Sequence, residues 1–361
     1  MEYLIQYGVF LAKVATIVVA LVILLGAIVS AGSKGKKGPR KGSIKVTPLN
    51  DHIDEMKDAI RHSILDKEEL KQIHKAEKKS AKAEHKEKVK KLKDDSKQSS
   101  DEQGRAEEER KKRVYVLNFN GDIAAEGVSS LREEITAVLS LAKPADEVVL
   151  NLESPGGMVH AYGLASSQLL RIKNQNIPLT ICVDKVAASG GYMMACLADK
   201  LIAAPFAIIG SIGVLVQLPN FHRVLKKYDV DYEIISAGEF KRTLTTFGEI
   251  TKKGKDKVQE DVETIHDIFK SWVKEHRPSV EIDKISTGET WVGMQAKERY
   301  MVDEIRTSDE YIVSACDSAD VYEVEFEIPQ SIQDKLGSAF QGNVQKIFST
   351  LFEKSSTNNY Q

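Results

Sequence analysis

Hydrophobic positions fall into four patterns along this chain, and each predicts a different kind of structure. From Gly8 to Val29 every residue is apolar or small except Lys13 and Thr16, a run long enough for one helical crossing of a hydrocarbon core roughly 30 Å thick. Lys13 lies near one end, where its ammonium can reach the headgroups. Val29-Ser30-Ala31 has the small residues of a cleavable leader. Nothing basic precedes the run, however, and Lys34, Lys36, Lys37, Arg40 and Lys41 follow it, so a retained anchor is expected.

The second pattern is a near absence of apolar residues. Between Asp66 and Arg113 the chain is mostly Lys, Glu, Ala and Arg, with one glycine, Gly104, and no proline. Such a composition favours helix but supplies no core. Leu70, Ile73, Val89 and Leu92 are too sparse for a sustained heptad seam. A solvated helical or partly disordered tether is expected, with an oligomerising coil or a basic membrane-surface segment as alternatives.

From Arg113 short apolar runs alternate with amphipathic stretches. Val114 to Phe119, Glu147 to Leu152, Leu179 to Val183, Leu201 to Ala203 and Tyr232 to Ile235 read as strands. Ser130 to Leu141 reads as a helix capped by Ser129 or Ser130, followed by helices over His160 to Ile172 and from Ser189. This β-α alternation predicts an α/β fold, with helices flanking a mostly parallel sheet. The apolar stretch Tyr192 to Leu218 contains Asp199, Lys200 and Pro205 and reads as globular interior rather than a second crossing. The last pattern puts Phe340, Val344, Ile347, Phe348 and Leu351 on one helical face, to dock on a partner subunit, the membrane surface or its own domain. The expected division is an anchor at 1–32, a charged helical or partly disordered tether at 33–112, a catalytic domain at 113–320 and a tail with an amphipathic helix at 321–361.

Charge narrows the possibilities. With 51 Lys plus Arg against 53 Asp plus Glu, no whole-chain electrostatic case for nucleic acid exists. Cys182, Cys196 and Cys316 are scattered without a Cys-x-x-Cys, so neither a disulfide framework nor a zinc site is suggested. They are expected as small apolar core residues. No cluster of metal-ligating residues surrounds Asp184, Asp199 or Asp303, and no glycine-rich phosphate loop appears, so no metal or other cofactor is expected.

The chemistry lies in three segments. In Asn151-Leu152-Glu153-Ser154-Pro155-Gly156-Gly157 a strand ends in a proline turn whose glycines can turn their N–H groups toward a substrate carbonyl, the geometry of an oxyanion hole. Ser189 follows two alanines and precedes Gly190-Gly191, at an expected strand-to-helix junction. Alone it reads as readily as a helix cap. Lys241 comes 52 residues later, in Gly238-Glu239-Phe240-Lys241-Arg242. A serine hydroxyl needs a base to take its proton, and a lysine serves when burial disfavours its ammonium. Phe240 and Leu244 are the expected apolar neighbours of Lys241, with bound substrate as a further source of burial. His160 and His222 are the candidates for a histidine base instead, but neither falls in a motif that positions one. Cys196 sits seven residues into the expected helix with no paired base.

In order and spacing these segments resemble the signal peptide peptidase A group of bacterial membrane serine peptidases, peptidase family S49, from the N-terminal segment to roughly residue 310. The resemblance implies a ClpP/crotonase-like spiral of β-β-α units. It implies Ser189 as nucleophile, Lys241 as base and Ser211, in Gly210-Ser211-Ile212-Gly213, as the hydroxyl that orients the lysine. The Gly190 amide joins Gly156 and Gly157 at the oxyanion. It also implies peptide or protein substrates, ring- or dome-shaped homo-oligomers and a single-pass protein of the bacterial inner (cytoplasmic) membrane, held in lipid by residues 8–29. On sidedness the indications disagree: the lysines after the crossing predict a cytoplasmic body, whereas the resemblance implies the outer side. The rival expectations are a catalytically silent membrane scaffold of the same fold and a crotonase-type acyl-CoA enzyme, although no CoA-phosphate cluster is evident.

Overall fold

The computed structural model describes residues 42–75 and 111–328, together with Gln6, Lys13, Thr16 and Lys79. The chain divides into two compact units, Met1–Ser43 with Glu327–Gln361, and Ile44–Phe326. The second carries the architecture below. The expected crossing at 8–29, save Lys13 and Thr16, and the amphipathic tail at 337–354 lie outside the described residues. Among the described residues no helix is long and apolar enough to cross a membrane.

A seven-stranded sheet forms the body, in the order β1 (Ser43–Pro48), β10 (Asp320–Glu327), β2 (Arg113–Asn120), β3 (Glu147–Glu153), β4 (Leu179–Val183), β6 (Lys200–Ala203) and β9 (Glu304–Ile305). From β10 to β9 every pairing is parallel. A smaller three-stranded sheet joins β5 (Val186–Ala188) in parallel to β7 (Ile208–Gly210), and β7 antiparallel to β8 (Thr290–Val292). The α/β expectation therefore holds, with a mixed strand arrangement.

Period-two alternation sorts the strands onto two cores, because successive side chains point to opposite faces. Leu117, Leu150 and Ile181 enter the larger core, which also receives helices α2 (Val128–Leu139), α3 (Val159–Lys173) and α4 (Gly190–Ala195). The residues next to them in the chain, Val116, Val149 and Cys182, face a smaller core. That one is lined by Leu49 of α1 (Leu49–Ile64) and by Tyr311, Ile312, Ala315 and Cys316 of α9 (Ser308–Cys316). Cys182 and Cys196 are buried and Cys316 is half-buried, all with free thiols.

The tether expectation needs correcting at its start. Residues 43–64, within the predicted 33–112 tether, form the edge strand β1 and helix α1 of the folded body. Asn50 holds them there. Its Nδ2 donates to the carbonyls of Cys316 (3.1 Å) and Ala319 (3.0 Å), and its Oδ1 accepts from the Val321 N–H at 2.7 Å. One amide thus joins α1 to the α9–β10 turn across more than 260 residues of sequence. Residues 67–75 form a further helix, whose first turn is capped by Asp66 Oδ1 accepting from the N–H groups of Glu68 and Glu69, both at 2.9 Å.

Replacing Asn50 with Ala removes three hydrogen bonds worth about 1 kcal/mol each. The Asn50→Ala chain is expected to lose about 2–3 kcal/mol, read as a lowered urea midpoint with an unchanged slope. A tether that contributed nothing to the fold would leave the midpoint where it was.

Glu147, at the start of β3, carries a buried carboxylate that accepts from Lys112 Nζ (2.6 Å), Thr180 Oγ1 (2.6 Å) and Tyr311 Oη (2.5 Å). Burial pushes its pKa up, but these hydrogen bonds outweigh burial and hold it below the usual carboxylate range. A depressed folded-state pKa gives stability that is present above the unfolded value and lost as pH falls through the folded one. Glu147→Gln is therefore expected to be less stable than the wild type at neutral pH, and the gap should close below about pH 4. Urea midpoints of both chains across that range check the sign.

Candidate active site

The three sequence segments meet where the two sheets join. β3 runs one residue past Glu153, and Ser154 makes an isolated parallel bridge to Ala187 of β5. The Ser154 N–H donates to the Val186 carbonyl at 2.8 Å, and the Ala188 N–H donates to the Ser154 carbonyl at 3.0 Å. β5 then delivers Ser189 beside the Ser154-Pro155-Gly156-Gly157 turn.

Ser189 is half-buried and has φ 52° and ψ −118°. A residue other than glycine held at positive φ costs on the order of 1–3 kcal/mol. Backbone bonds on both sides maintain it: its N–H donates to the Gly210 carbonyl at 2.8 Å, and its carbonyl accepts from the Met193 N–H at 3.0 Å. Ser189 occupies the N-cap position of α4, yet its hydroxyl makes no capping hydrogen bond.

The turn lies flush on this serine. Gly156 has φ +88°, and a Cβ there would come within 2.7 Å of the Ala188 carbonyl oxygen, 2.7 Å of the Gly190 nitrogen and 2.8 Å of Ser189 Cβ. Only glycine permits that approach. Gly190 is closed in from its other side, where a Cβ would meet Tyr162 Cγ at 2.4 Å.

The three candidate oxyanion donors are not equivalent. The Gly156 N–H donates to Ser154 Oγ at 3.1 Å, and the Met158 N–H donates to the Ile123 carbonyl at 2.8 Å. Pro155 has no N–H. Among the described residues, the N–H groups of Gly157 and Gly190 have no acceptor. Gly157 is exposed and Gly190 opens the first turn of α4, where helix N–H groups lack intrahelical partners.

Ser211 follows β7 as Ser189 follows β5. The register Ala188↔Gly210 places the two serines on neighbouring strands, spaced about 4.8 Å apart along the hydrogen-bonding direction. Ser211 also has positive φ, 51°, and its N–H donates to the Glu289 carbonyl at 2.6 Å.

Lys241 departs from expectation. It is exposed, and among the described residues its side chain has no hydrogen-bond or ion-pair partner and no bond links it to Ser189 or Ser211. Its turn is tethered to the start of α6 (Lys252–His276): Glu239 pairs with Lys253, and the ammonium groups of Lys253 and Lys257 lie 5.6 and 5.9 Å from the Phe240 ring centre. Lys241 is not buried by its own chain, because no core stands behind this segment. The strand expected at Tyr232 to Ile235 is not formed, since no neighbouring strand pairs with it, and Ile235 is 98% exposed. Leu215, Val216 and Tyr228 are exposed as well.

The alternative groups fall into structural roles. His160 is exposed, His222 begins the short helix α5 (His222–Lys227), and among the described residues neither is bonded to Ser189. Burial pushes the Cys196 thiol up to about 12, far from a reactive thiolate. Asp184 accepts from the N–H and hydroxyl of Ser308, Asp199 pairs with Lys173, and Asp303 pairs with the buried Arg277. No group of three or more His, Cys, Asp or Glu is arranged to hold a metal among the described residues.

Sequence reasoning missed Tyr162. Its side chain is fully buried, with Oη 2.5 Å from Ser154 Oγ and donating to the Asp122 carbonyl at 2.7 Å. A tyrosine on the apolar face of α3 reads simply as core, and only its spacing of eight residues from Ser154 hints at more.

The chain is similar to known proteins along most of its length. Models of the peptidase family S49 N-terminal region and of peptidase family S49 match residues 2–169 and 171–322. A probable protease SohB of Haemophilus influenzae is 46% identical over 336 residues, 93% of this chain and 92% of that one. Another, of Buchnera aphidicola subsp. Schlechtendalia chinensis, is 42% identical over 314 residues, 87% of this chain and 100% of that one. A solved 1510-N membrane-bound stomatin-specific protease mutant in complex with a substrate peptide covers 64% of this chain and 98% of its own, at 16% identity and a TM-score of 0.39.

Proposed function

We propose, from the premise that this chain belongs to peptidase family S49 and is a peptidase, that it is a membrane-anchored serine endopeptidase with a Ser/Lys dyad. The observation that carries the reading is Ser189: strained, half-buried, free of any capping role, and pressed against a glycine turn with an unengaged N–H. Ser189 Oγ attacks the scissile carbonyl while Lys241 Nζ takes its proton. The Gly157 and Gly190 N–H groups receive the oxyanion, and Gly156 supplies the close approach. Collapse breaks the C–N bond, Lys241 returns the proton to the leaving amine, and water then hydrolyses the acyl-serine. Ser211, one strand over from Ser189, orients Lys241. Losing one oxyanion donor typically costs about 10²–10³ in rate.

Lys241 is exposed in the single chain, and burial disfavours an ammonium, so Lys241 acts once something buries it. We assign that role to association. The apolar exposure of residues 215–235 supports a homo-oligomer, of ring or dome form, in which Lys241 of one copy serves Ser189 of its neighbour. The small sheet set against the main one supports a ClpP/crotonase-like spiral. The run Gly8 to Val29 supports a single crossing of the bacterial inner membrane, and the anchor supports extended, apolar-rich substrates such as membrane-protein fragments or remnant signal peptides.

Treating detergent-purified full chain with a fluorophosphonate probe is expected to place one adduct on Ser189. Mass spectrometry should find that adduct lost in Ser189→Ala and reduced by about 10²-fold or more in rate in Lys241→Ala. Mixing the two inactive variants should recover peptide cleavage if neighbours share the site. Recovery of none, with each variant active in no other way, would put both groups in one chain. A folded, assembled wild type that takes no adduct would favour the silent scaffold.

A further inference from the structure

The proton positions around the glycine turn are determined by elimination. The Asp122 acceptor is a main-chain carbonyl, so the single Tyr162 proton is committed to it at 2.7 Å. The 2.5 Å contact between Tyr162 Oη and Ser154 Oγ must then be bridged by the Ser154 proton. Ser154 Oγ is left to accept, and it accepts the Gly156 N–H at 3.1 Å. The result is a directional relay, Gly156 N–H to Ser154 to Tyr162 to the Asp122 carbonyl, buried along its side chains.

This relay decides which amide of the turn faces outward. From Ser154 to Met158, the N–H groups of residues 154, 156 and 158 go to Val186, to the Ser154 hydroxyl and to Ile123. Gly157 alone keeps a free donor among the described residues. The same tyrosine touches the second donor-bearing segment, because its ring fills the space beside Gly190 that a side chain there would need. Gly121 completes the enclosure: a Cβ on it would lie 2.5 Å from Tyr162 Oη and 2.6 Å from Ser154 Oγ.

We propose that Tyr162 is a positioning residue for the oxyanion hole, setting the Gly157 amide through Ser154 and the Gly190 amide through its ring. The proposal rests on the reading of Ser189 as nucleophile. Tyr162 touches no reacting atom. Its hydroxyl holds the Gly156 peptide inward so that the next N–H points at the carbonyl under attack.

Tyr162→Phe keeps the ring and removes the relay's middle link. In the full chain, cleavage of a fluorogenic peptide is expected to lose about tenfold to a hundredfold in kcat, with KM changed less than about twofold, because a donor misplaced by a fraction of an ångström harms the transition state more than the bound substrate. A peptide aldehyde that forms a tetrahedral adduct on the serine should bind weaker by the same factor, while a product peptide should bind as before. Ser154→Ala should lose a similar factor, and the double variant no more than the larger single loss, since both changes cut one relay. Should Tyr162→Phe fail to fold, Ser154→Ala carries the kcat prediction alone, because it leaves the Tyr162–Asp122 bond intact. A kcat within about twofold of wild type in Tyr162→Phe and Ser154→Ala, alongside loss of activity in Ser189→Ala, would overturn the positioning role and leave the nucleophile standing. Activity that survives Ser189→Ala would overturn both.

Discussion

The bridge between Ser154 and Ala187 is the contact on which the site depends. A parallel strand normally ends where its ladder ends, and the chain then turns away into a loop. Here β3 leaves the main sheet and, within one residue, pairs with the small one. The glycine turn that follows β3 and the serine that follows β5 are therefore brought together by backbone hydrogen bonds. Side chains need only refine an arrangement the two ladders already impose. This also explains why the approach is so close: the turn and the serine leave adjacent strands at the same height, and a Cβ on Gly156 would collide with three different groups.

The same construction tolerates strain. Ser189 and Ser211 both sit at positive φ, at 52° and 51°, and each follows a strand of the small sheet at matched register. Two such residues cost on the order of 2–6 kcal/mol together, a large fraction of a typical domain's stability. They persist because each N–H is held in a backbone bond, Ser189 to Gly210 and Ser211 to Glu289, and because the ladders on either side cannot shift without breaking. Strain held by surroundings in this way presents a hydroxyl at a fixed angle, which a flexible loop serine does not do.

Much of the body was legible in the sequence because its strands alternate and its helices are amphipathic. Leu179 to Val183 is predicted as a strand and forms one with the same bounds, and the strand expected at Glu147 to Leu152 runs one residue longer. What escaped did so for physical reasons. Residues 43–64 escaped because no side chain of α1 is fully buried; the segment is held by Leu49, partly buried against the smaller core, and by Asn50, whose partners lie more than 260 residues away. Tyr162 escaped because its hydroxyl matters only through Ser154 and Asp122, groups on two other segments. Gly156 and Gly157 differ in the structure, where Ser154 Oγ engages the Gly156 N–H, because sequence shows two glycines but not which N–H a neighbouring hydroxyl engages.

Lys241 raises a different problem, and its resolution joins two features that look unrelated. A lysine that accepts a proton near neutral pH must be taken out of water, and apolar residues such as Ile235 and Tyr228 gain by the same removal. Within one chain neither demand is met, because residues 228–242 have no core behind them. Burying that surface contributes roughly 25 cal/mol for each Å² of apolar area, which offsets the cost of desolvating the ammonium. On the proposed mechanism, the event that covers the apolar segment is the event that makes the lysine a base. Catalytic competence would then arise with assembly, on a serine that the unassembled protein already positions.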